Sequence, residues 1–334
     1  MNQGYCSRIV GTGSHLPPRT VGNAEVARPV HLREEDVFQL TGIRARRWAA
    51  PHDECSQLAE EASRRALESA GLTTDSIDAI LVSTTSPDTI LPSTACHLQR
   101  RLGARNVAAF DVSASCSGFI YGLSMADCFI RSGQFNRCLV VASEIKSRYL
   151  DSENSACAIL FGDGAGAAVV VREDIGKRRE PPGILGVRLY ADGTYSHLIT
   201  VPAGGSRLPV SSDTVRNRLH TLQMKGGVLF RIAVKRLSQA IQDLLGEFDL
   251  RPADIKRVIA HQANGRMLAA IARRLQIPQG TMFSILEEYG NTSSASLPIA
   301  LDFAHRQGIF NAGDLILLGA FGGGLTWGAA LVRW

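Results

Sequence analysis

Three polar side chains sit among small residues beside stretches of regular pattern, and each brings chemistry of its own. Cys116 lies in FDVSASCSGF, between an apolar run and a second stretch of helical character. A thiol at a helix start feels the positive potential of unpaired N–H groups. That potential favours thiolate and activates a nucleophile without an adjacent base. Ser113, Ser115, Ser117 and Gly118 around it are small and leave room for a substrate. His261 follows an apolar run in VIAHQAN, and Asn291 lies in YGNTSSAS ahead of another helical stretch. A ring N–H and an amide N–H are donors suited to an oxyanion. FGGG at 321–324 is a loop whose backbone N–H groups can approach a reacting carbonyl. Each residue also has a plain structural role open to it: a small buried cysteine, a hydrogen-bonded core histidine, an N-cap asparagine, a hairpin loop.

The elements that must position these groups are read from periodicity and punctuation. The pattern predicts strands over 7–13, 77–84, 107–112, 139–143, 165–171, 255–260, 315–319 and 327–332. Helices are expected over 54–70, 93–102, 117–132, 227–245, 266–275 and 296–307, with Gly71 and Gly103 closing the first two. Residues 173–222 are richer in Arg, Pro, Gly and Ser and read as surface hairpins and loops. Strands alternating with helices argue an α/β fold with sheets covered on both faces.

The two halves resemble each other. IRSGQFN at 130–136 matches HRQGIFN at 305–311 with an offset of 175, and each precedes an apolar strand. The same offset pairs Cys116 with Asn291. Upstream, DAILVSTT at 78–85 matches KRVIAHQA at 256–263 with an offset of 178. A duplicated α/β unit would bring Cys116, His261 and Asn291 to one central site, at strand ends and helix starts. The expected organisation is an N-terminal half at 1–173, an irregular segment at 174–222 and a C-terminal half at 223–334.

Composition narrows the function classes. The chain has 334 residues, 45% hydrophobic and 20% charged, which excludes intrinsic disorder. Its 36 basic and 31 acidic side chains leave a net charge of +5, too mild for a nucleic-acid-binding signature. The excess suits acidic partners, and its densest short run is Lys177, Arg178 and Arg179. Residues 1–8 have no apolar core of signal-peptide type, and no apolar run reaches the roughly 18 residues of a membrane span. Seven cysteines, an odd number without CxxC spacing, argue against a disulfide framework or a metal site and for a reducing cytoplasm.

The ordered set GTGSHLP, TGIRARR, PSTAC, DVSASCSGF, FGDGAGA, HQANGR, GNTSSAS and FGGGLTWGAALVRW resembles the β-ketoacyl-acyl-carrier-protein synthase III family of the thiolase superfamily. The resemblance runs from about Ile9 to Trp334 and is weakest over 28–40 and 173–222. It implies a thiolase-like, five-layered αβαβα fold with two duplicated halves, in a homodimer. It also implies a decarboxylating Claisen condensation of a Cys-bound acyl primer with malonyl-acyl-carrier protein. Cys116 then matches the acylated nucleophile, and His261 and Asn291 the donors to the second carbonyl. Gly323 matches an oxyanion-loop N–H. Gln262, Ala263, Asn264, Gly265 and Arg266 match the carrier-protein contact, with Arg231 and Lys235 as helpers. Gly226, Phe230, Ala263 and Asn264 match the pantetheine tunnel, and Leu91 the residue a dimer mate inserts at the floor of the acyl pocket. No metal or redox cofactor is implied; the substrates carry phosphopantetheine, as acyl-carrier protein or coenzyme A.

Two departures stand out. The family often clamps the coenzyme A adenine between a Trp before TGIR and an Arg before FGDG. Those places hold Asp36 and Ser155 here, and Leu40 replaces a further Arg. This favours a carrier-bound donor or a specialised pathway such as biotin or secondary-metabolite synthesis. The alternative activity is an acyltransferase with an alcohol or amine acceptor and His261 as general base. A non-catalytic partner subunit would have lost Cys116. A degradative thiolase generally relies on a second Cys near its C-terminus, and the last Cys here is Cys157.

Overall fold

Ala, Val, Ile and Leu fill the strand interiors, as strands buried on both faces require. The computed structural model describes residues 4–176 and 180–334. The basic run Lys177, Arg178 and Arg179 lies outside the described residues. One five-stranded sheet runs in the order Tyr5–His15, Gly164–Asp174, Arg137–Glu144, Ala79–Ser83, Ala108–Val112. The other runs Gly183–Ala191, Thr326–Arg333, Leu315–Gly322, Arg257–Ala260, Met282–Phe283. In both, the first two pairings are antiparallel and the last two parallel. The two halves therefore repeat each other strand for strand.

Successive side chains on a strand face opposite layers, so each sheet serves two cores. The helices Gly118–Arg131 and Ser296–Arg306 lie between the sheets. Phe119, Leu123, Leu297 and Ile299 pack there against Leu81 and Val140 of one sheet and Ile259 and Leu318 of the other. Outside, Cys55–Ala70 and Thr94–Leu102 cover the first sheet through Leu58, Ala62 and Leu98 on Ile80 and Val169. Gly226–Glu247 and Gly265–Arg274 cover the second through Leu237, Ile241 and Ile271 on Val258 and Leu331. The result is five layers, αβαβα. Gly71 and Gly103 end their helices in the left-handed region, as the sequence reading expects. No helix among the described residues is long and apolar enough to cross a membrane.

Two expectations need correction. The segment 174–222 is not wholly irregular: Gly183–Ala191 is the edge strand of the second sheet. Beyond the buried Gly183 and Ile184 its residues are half-buried or exposed and include Gly186 and Arg188, which masks the apolar pattern. The pairing of Cys116 with Asn291 is also displaced. Equivalent strands start 178 residues apart, at Tyr5 and Gly183, Ala79 and Arg257, Arg137 and Leu315. Ser115 and Ser293 share that offset, and both adopt positive φ, 49° and 53°. Cys116 is thus equivalent to Ser294. The offset of 175 holds only locally, because the first central helix has 14 residues and the second 11.

Candidate active site

Cys116 sits in a single tight turn, Ser115–Ser117, that links the Ala108–Val112 strand to the Gly118–Arg131 helix. Ser115 carries the strain of a left-handed non-glycine residue just before the thiol. Two glycines make the close approach possible. A Cβ on Gly118 would lie 1.8 Å from Ser83 Oγ, and one on Gly322 would lie 2.6 Å from the Cys116 nitrogen. The end of the Leu315–Gly322 strand is therefore pressed against the backbone of Cys116.

His261 is the first residue past Arg257–Ala260, and its N–H donates to Gly319 O at 2.7 Å. Its Nδ1 lies 2.6 Å from Ser296 Oγ, and that hydroxyl accepts the Gln262 N–H at 3.1 Å. The hydroxyl proton is then available to Nδ1, which assigns the ring proton to Nε2. Asn291 is held on both backbone sides by the FGDG segment: its N–H donates to Leu160 O and its carbonyl accepts from Gly162 N–H. Its Oδ1 accepts the Ser293 N–H at 2.9 Å, so the donor end of the amide is turned away from that turn. Asn291 is not the cap of Ser296–Arg306.

Burial governs the charges. It pushes the Cys116 thiol up, against opposing pulls from the Ser293 hydroxyl and the Lys146 ammonium. The helix start works in the same direction as those pulls. The expected activation of the thiol is therefore opposed by its burial. Burial lowers His261 from 6.5 to about 4, with the Glu144 charge opposing, so the ring is neutral at pH 7. Glu144, fully buried, is the anion of the site. Burial disfavours its charge, but Lys146 and the hydroxyls of Ser86 and Ser294 outweigh this and hold the carboxyl below the usual range. It also accepts from Ser293 Oγ at 3.0 Å, and Ser293 Oγ lies 3.4 Å from Cys116 Sγ.

Two cavities meet at Cys116. The first, about 390 Å³, is lined by Cys116, His261, Asn291, Gly323, Gly226, Phe230, Ala263, Asn264, Leu40 and Ser155 among others. The three chemical residues, the oxyanion-loop glycine and the tunnel residues read from the sequence thus face one space. The second, about 430 Å³, lies beyond the thiol and is lined by Cys116, Lys146, Ser113, Thr200, Leu222 and Gly323 among others. A thiol between two cavities can receive a group from one side and house it on the other.

The comparisons with known proteins bear on which group. The family described as 3-oxoacyl-[acyl-carrier-protein (ACP)] synthase III matches residues 110–193, and its C-terminal part matches 245–334. A β-ketoacyl-[acyl-carrier-protein] synthase III of Xanthomonas campestris is 45% identical over all of both chains. One from Caldanaerobacter subterraneus is 45% identical over 98% of this chain and 97% of its own. The chain belongs to the β-ketoacyl-[acyl-carrier-protein] synthase III family. The crystal structure of the synthase III of Aquifex aeolicus is similar, with a TM-score of 0.88 at 38% identity over 98% of this chain and all of that one. A priming β-ketosynthase of a polyketide pathway gives 0.89 at 36%, over 98% and 96%. The thiolase-like fold and the condensing-enzyme class follow.

Within this synthase III site, one sequence expectation fails. Gln262 is fully buried, donates to Ala260 O and accepts from Ser284 Oγ and Ile285 N–H, so it braces the chain and has no surface to offer a carrier. Asn264 caps the Gly265–Arg274 helix through Arg266 N–H, and Gly265 packs on Gly42. Of the five residues read as a carrier contact, only Arg266 is exposed. Asp36 is bound by the Arg33 guanidinium at 2.6 and 2.8 Å, whereas Leu40 and Ser155 line the cavity mouth. Leu91 lies apart from this cavity and is 86% exposed, beside Ile90 at 90%. Glu144, Lys146 and Ser296 are site residues that the sequence reading missed. The signal was a glutamate and a lysine just after the apolar run CLVVAS, at the strand end near Cys116.

Proposed function

We propose that this protein joins a Cys116-bound acyl primer to malonyl-acyl-carrier protein, releasing carbon dioxide and a β-ketoacyl thioester. The observation that supports the reading is the thiol between two cavities, with His261 and Asn291 lining one of them beside it and the Asn291 amide held by a long bond to Ala263 O at 3.4 Å. In the first half-reaction the donor's C–S bond breaks, the acyl carbon bonds to Cys116 Sγ, and the thiol proton leaves with the departing thiol. In the second, malonyl C–C cleavage sends an electron pair to the thioester enolate. His261 Nε2–H and the Asn291 amide stabilise its oxygen, donors of a kind worth about 3–4 kcal/mol each. The enolate carbon attacks the acyl carbonyl, whose oxygen is held by the Cys116 and Gly323 N–H groups, and Cys116 is expelled. A neutral imidazole fits this role, because a hydrogen-bond donor to the enolate needs no positive charge. An alcohol or amine acceptor would leave Asn291 without a task.

The acidic carrier is proposed to dock at the cavity mouth on exposed Arg266, Arg231 and Lys235. The solvent-facing Ile90 and Leu91 support a homodimer in which Leu91 enters the partner's acyl pocket. The seven cysteines without a disulfide support a reducing, cytoplasmic setting. The test is intact-mass spectrometry after exposure to acyl thioesters. A mass increase equal to the acyl group is expected on the native protein, lost in Cys116→Ala and kept in Cys128→Ala. An unchanged adduct on Cys116→Ala overturns the assignment.

A further inference from the structure

The cavity beyond the thiol holds a cation that the condensation does not use. Lys146 lines it together with Cys116, and its side chain is only 7% exposed. An ammonium group has three donors. One goes to Thr85 Oγ1 and one faces Glu144 Oε2 at 3.4 Å. Glu144 does not depend on the lysine for hydrogen bonds: Thr85, Ser86, Ser293 and Ser294 supply them at 2.6 to 3.2 Å. The ammonium also lies 5.6 Å from the centre of the Tyr149 ring, a weak aromatic contact that leaves it able to donate to a carboxylate entering the cavity it lines. The walls are mixed: Ser113, Ser196 and Thr200 place hydroxyls beside Val201 and Leu222. A pocket for a plain alkyl chain gains nothing from a buried ammonium, which must give up water to sit there, whereas Ser113 and Ser196 are exposed and lie on the cavity's solvent side. A short chain ending in a carboxylate would use the ammonium.

We propose that the acyl pocket selects a primer with a carboxylate at its far end, a monothioester of a short dicarboxylic acid, and that Lys146 reads that carboxylate. The proposal rests on the acyl-Cys116 reading above. The acyl carbon moves from donor sulfur to Cys116 sulfur, the departing thiol takes the proton, and the distal carboxylate stays intact against Lys146.

The test uses matched pairs of coenzyme A thioesters: succinyl against butyryl, and glutaryl against pentanoyl. Within a pair the carrier and the chain length are the same, so the ratio of acylation kcat/KM reports the terminus alone. The native protein should favour the dicarboxylic member by about tenfold or more, the usual worth of a charge-assisted hydrogen bond. Lys146→Met should collapse that ratio to one or below. Because this variant leaves Glu144 without its counter-charge, Glu144→Gln with Lys146→Met is made alongside; it removes both charges and should give the same collapse. A native preference for the neutral member of both pairs overturns the proposal, as does an unchanged ratio in both variants. A fall of both members by the same factor, with slower iodoacetamide labelling of Cys116, also overturns it and assigns Lys146 to the thiol. If no thioester of any kind acylates the native protein, the acyl-Cys116 reading itself has failed, an outcome distinct from those three.

Discussion

Ser296 Oγ lies 2.6 Å from His261 Nδ1, and this one contact sets which ring nitrogen faces the cavity. The hydroxyl sits at the start of the second central helix, so the helix that fills the middle layer also aims the imidazole. Ser296→Ala should remove the orientation and keep the ring. We expect malonyl decarboxylation to fall by about one to two decades, from loss of one oriented donor, while acylation of Cys116 changes far less. His261→Ala and Asn291→Ala should split the half-reactions the same way and more deeply. Decarboxylation is followed by carbon dioxide release and acylation by intact mass. Normal decarboxylation in both alanine variants would sink the condensing mechanism and favour an alcohol or amine acceptor.

The pH dependence follows from the neutral imidazole. An unfolded chain protonates this histidine near 6.5, and the native protein only near 4. Between those values the unfolded state binds the extra proton, so the histidine's contribution to stability falls as pH drops from 6.5 to 4 and is constant above 6.5. In activity, no inflection near 6.5 should appear in the decarboxylation rate; the acid limb should lie toward 4. The Cys116 thiol shifts the opposite way: burial raises it above its ordinary 9.0, so iodoacetamide labelling should climb with pH to a midpoint above that value. A labelling midpoint at or below 7 would show that the helix start and Lys146 overcome the burial.

Much of this site was legible in the residues. Cys116 and His261 follow apolar segments, and Asn291 lies among small residues ahead of a helix, local signals that survive without neighbours. Glu144 shares only its place after the apolar run CLVVAS, and Ser296 has no signal of its own, because their importance comes from partners 149 and 35 residues away in the chain. The Gly183–Ala191 strand was hidden for a different reason: it is an edge strand, covered on both faces but with its apolar run broken by Gly186 and the exposed Arg188. Arg46 was invisible as well. It reads as one surface base in a run of three, yet it is fully buried and ties Ile159 O to Asn23 Oδ1, which fixes the FGDG segment that holds Asn291.

Gly322 offers a test of the backbone contact itself. A methyl group there would meet the Cys116 nitrogen at 2.6 Å, a backbone atom in a strained turn that has little room to move. Gly322→Ala should cost about 1–3 kcal/mol of stability, the usual range for overpacking, and slow acylation by more than about tenfold through a displaced oxyanion loop. Thermal melting and adduct kinetics measure the two effects. A variant that melts and acylates like the native protein would refute the close approach.

The final prediction concerns the thioester donor. Leu40 and Ser155 at the cavity mouth offer an adenine neither an aromatic face nor a guanidinium. Asp36 has its carboxylate bound by Arg33, so repulsion from a nucleotide phosphate is blunted and the main loss is of stacking. Cation–π contacts are worth about 0.5–2 kcal/mol each, so losing two weakens coenzyme A binding by about 5- to 1,000-fold. A carrier-bound donor has no adenine and loses nothing. For one acyl group, kcat/KM should therefore be higher from acyl-carrier protein than from coenzyme A. Asp36→Trp with Ser155→Arg should raise coenzyme A use selectively, mainly through KM, and leave carrier-bound donors nearly unaffected. A native protein that strongly prefers coenzyme A must grip the nucleotide on another surface. In that case the double variant should bring no gain.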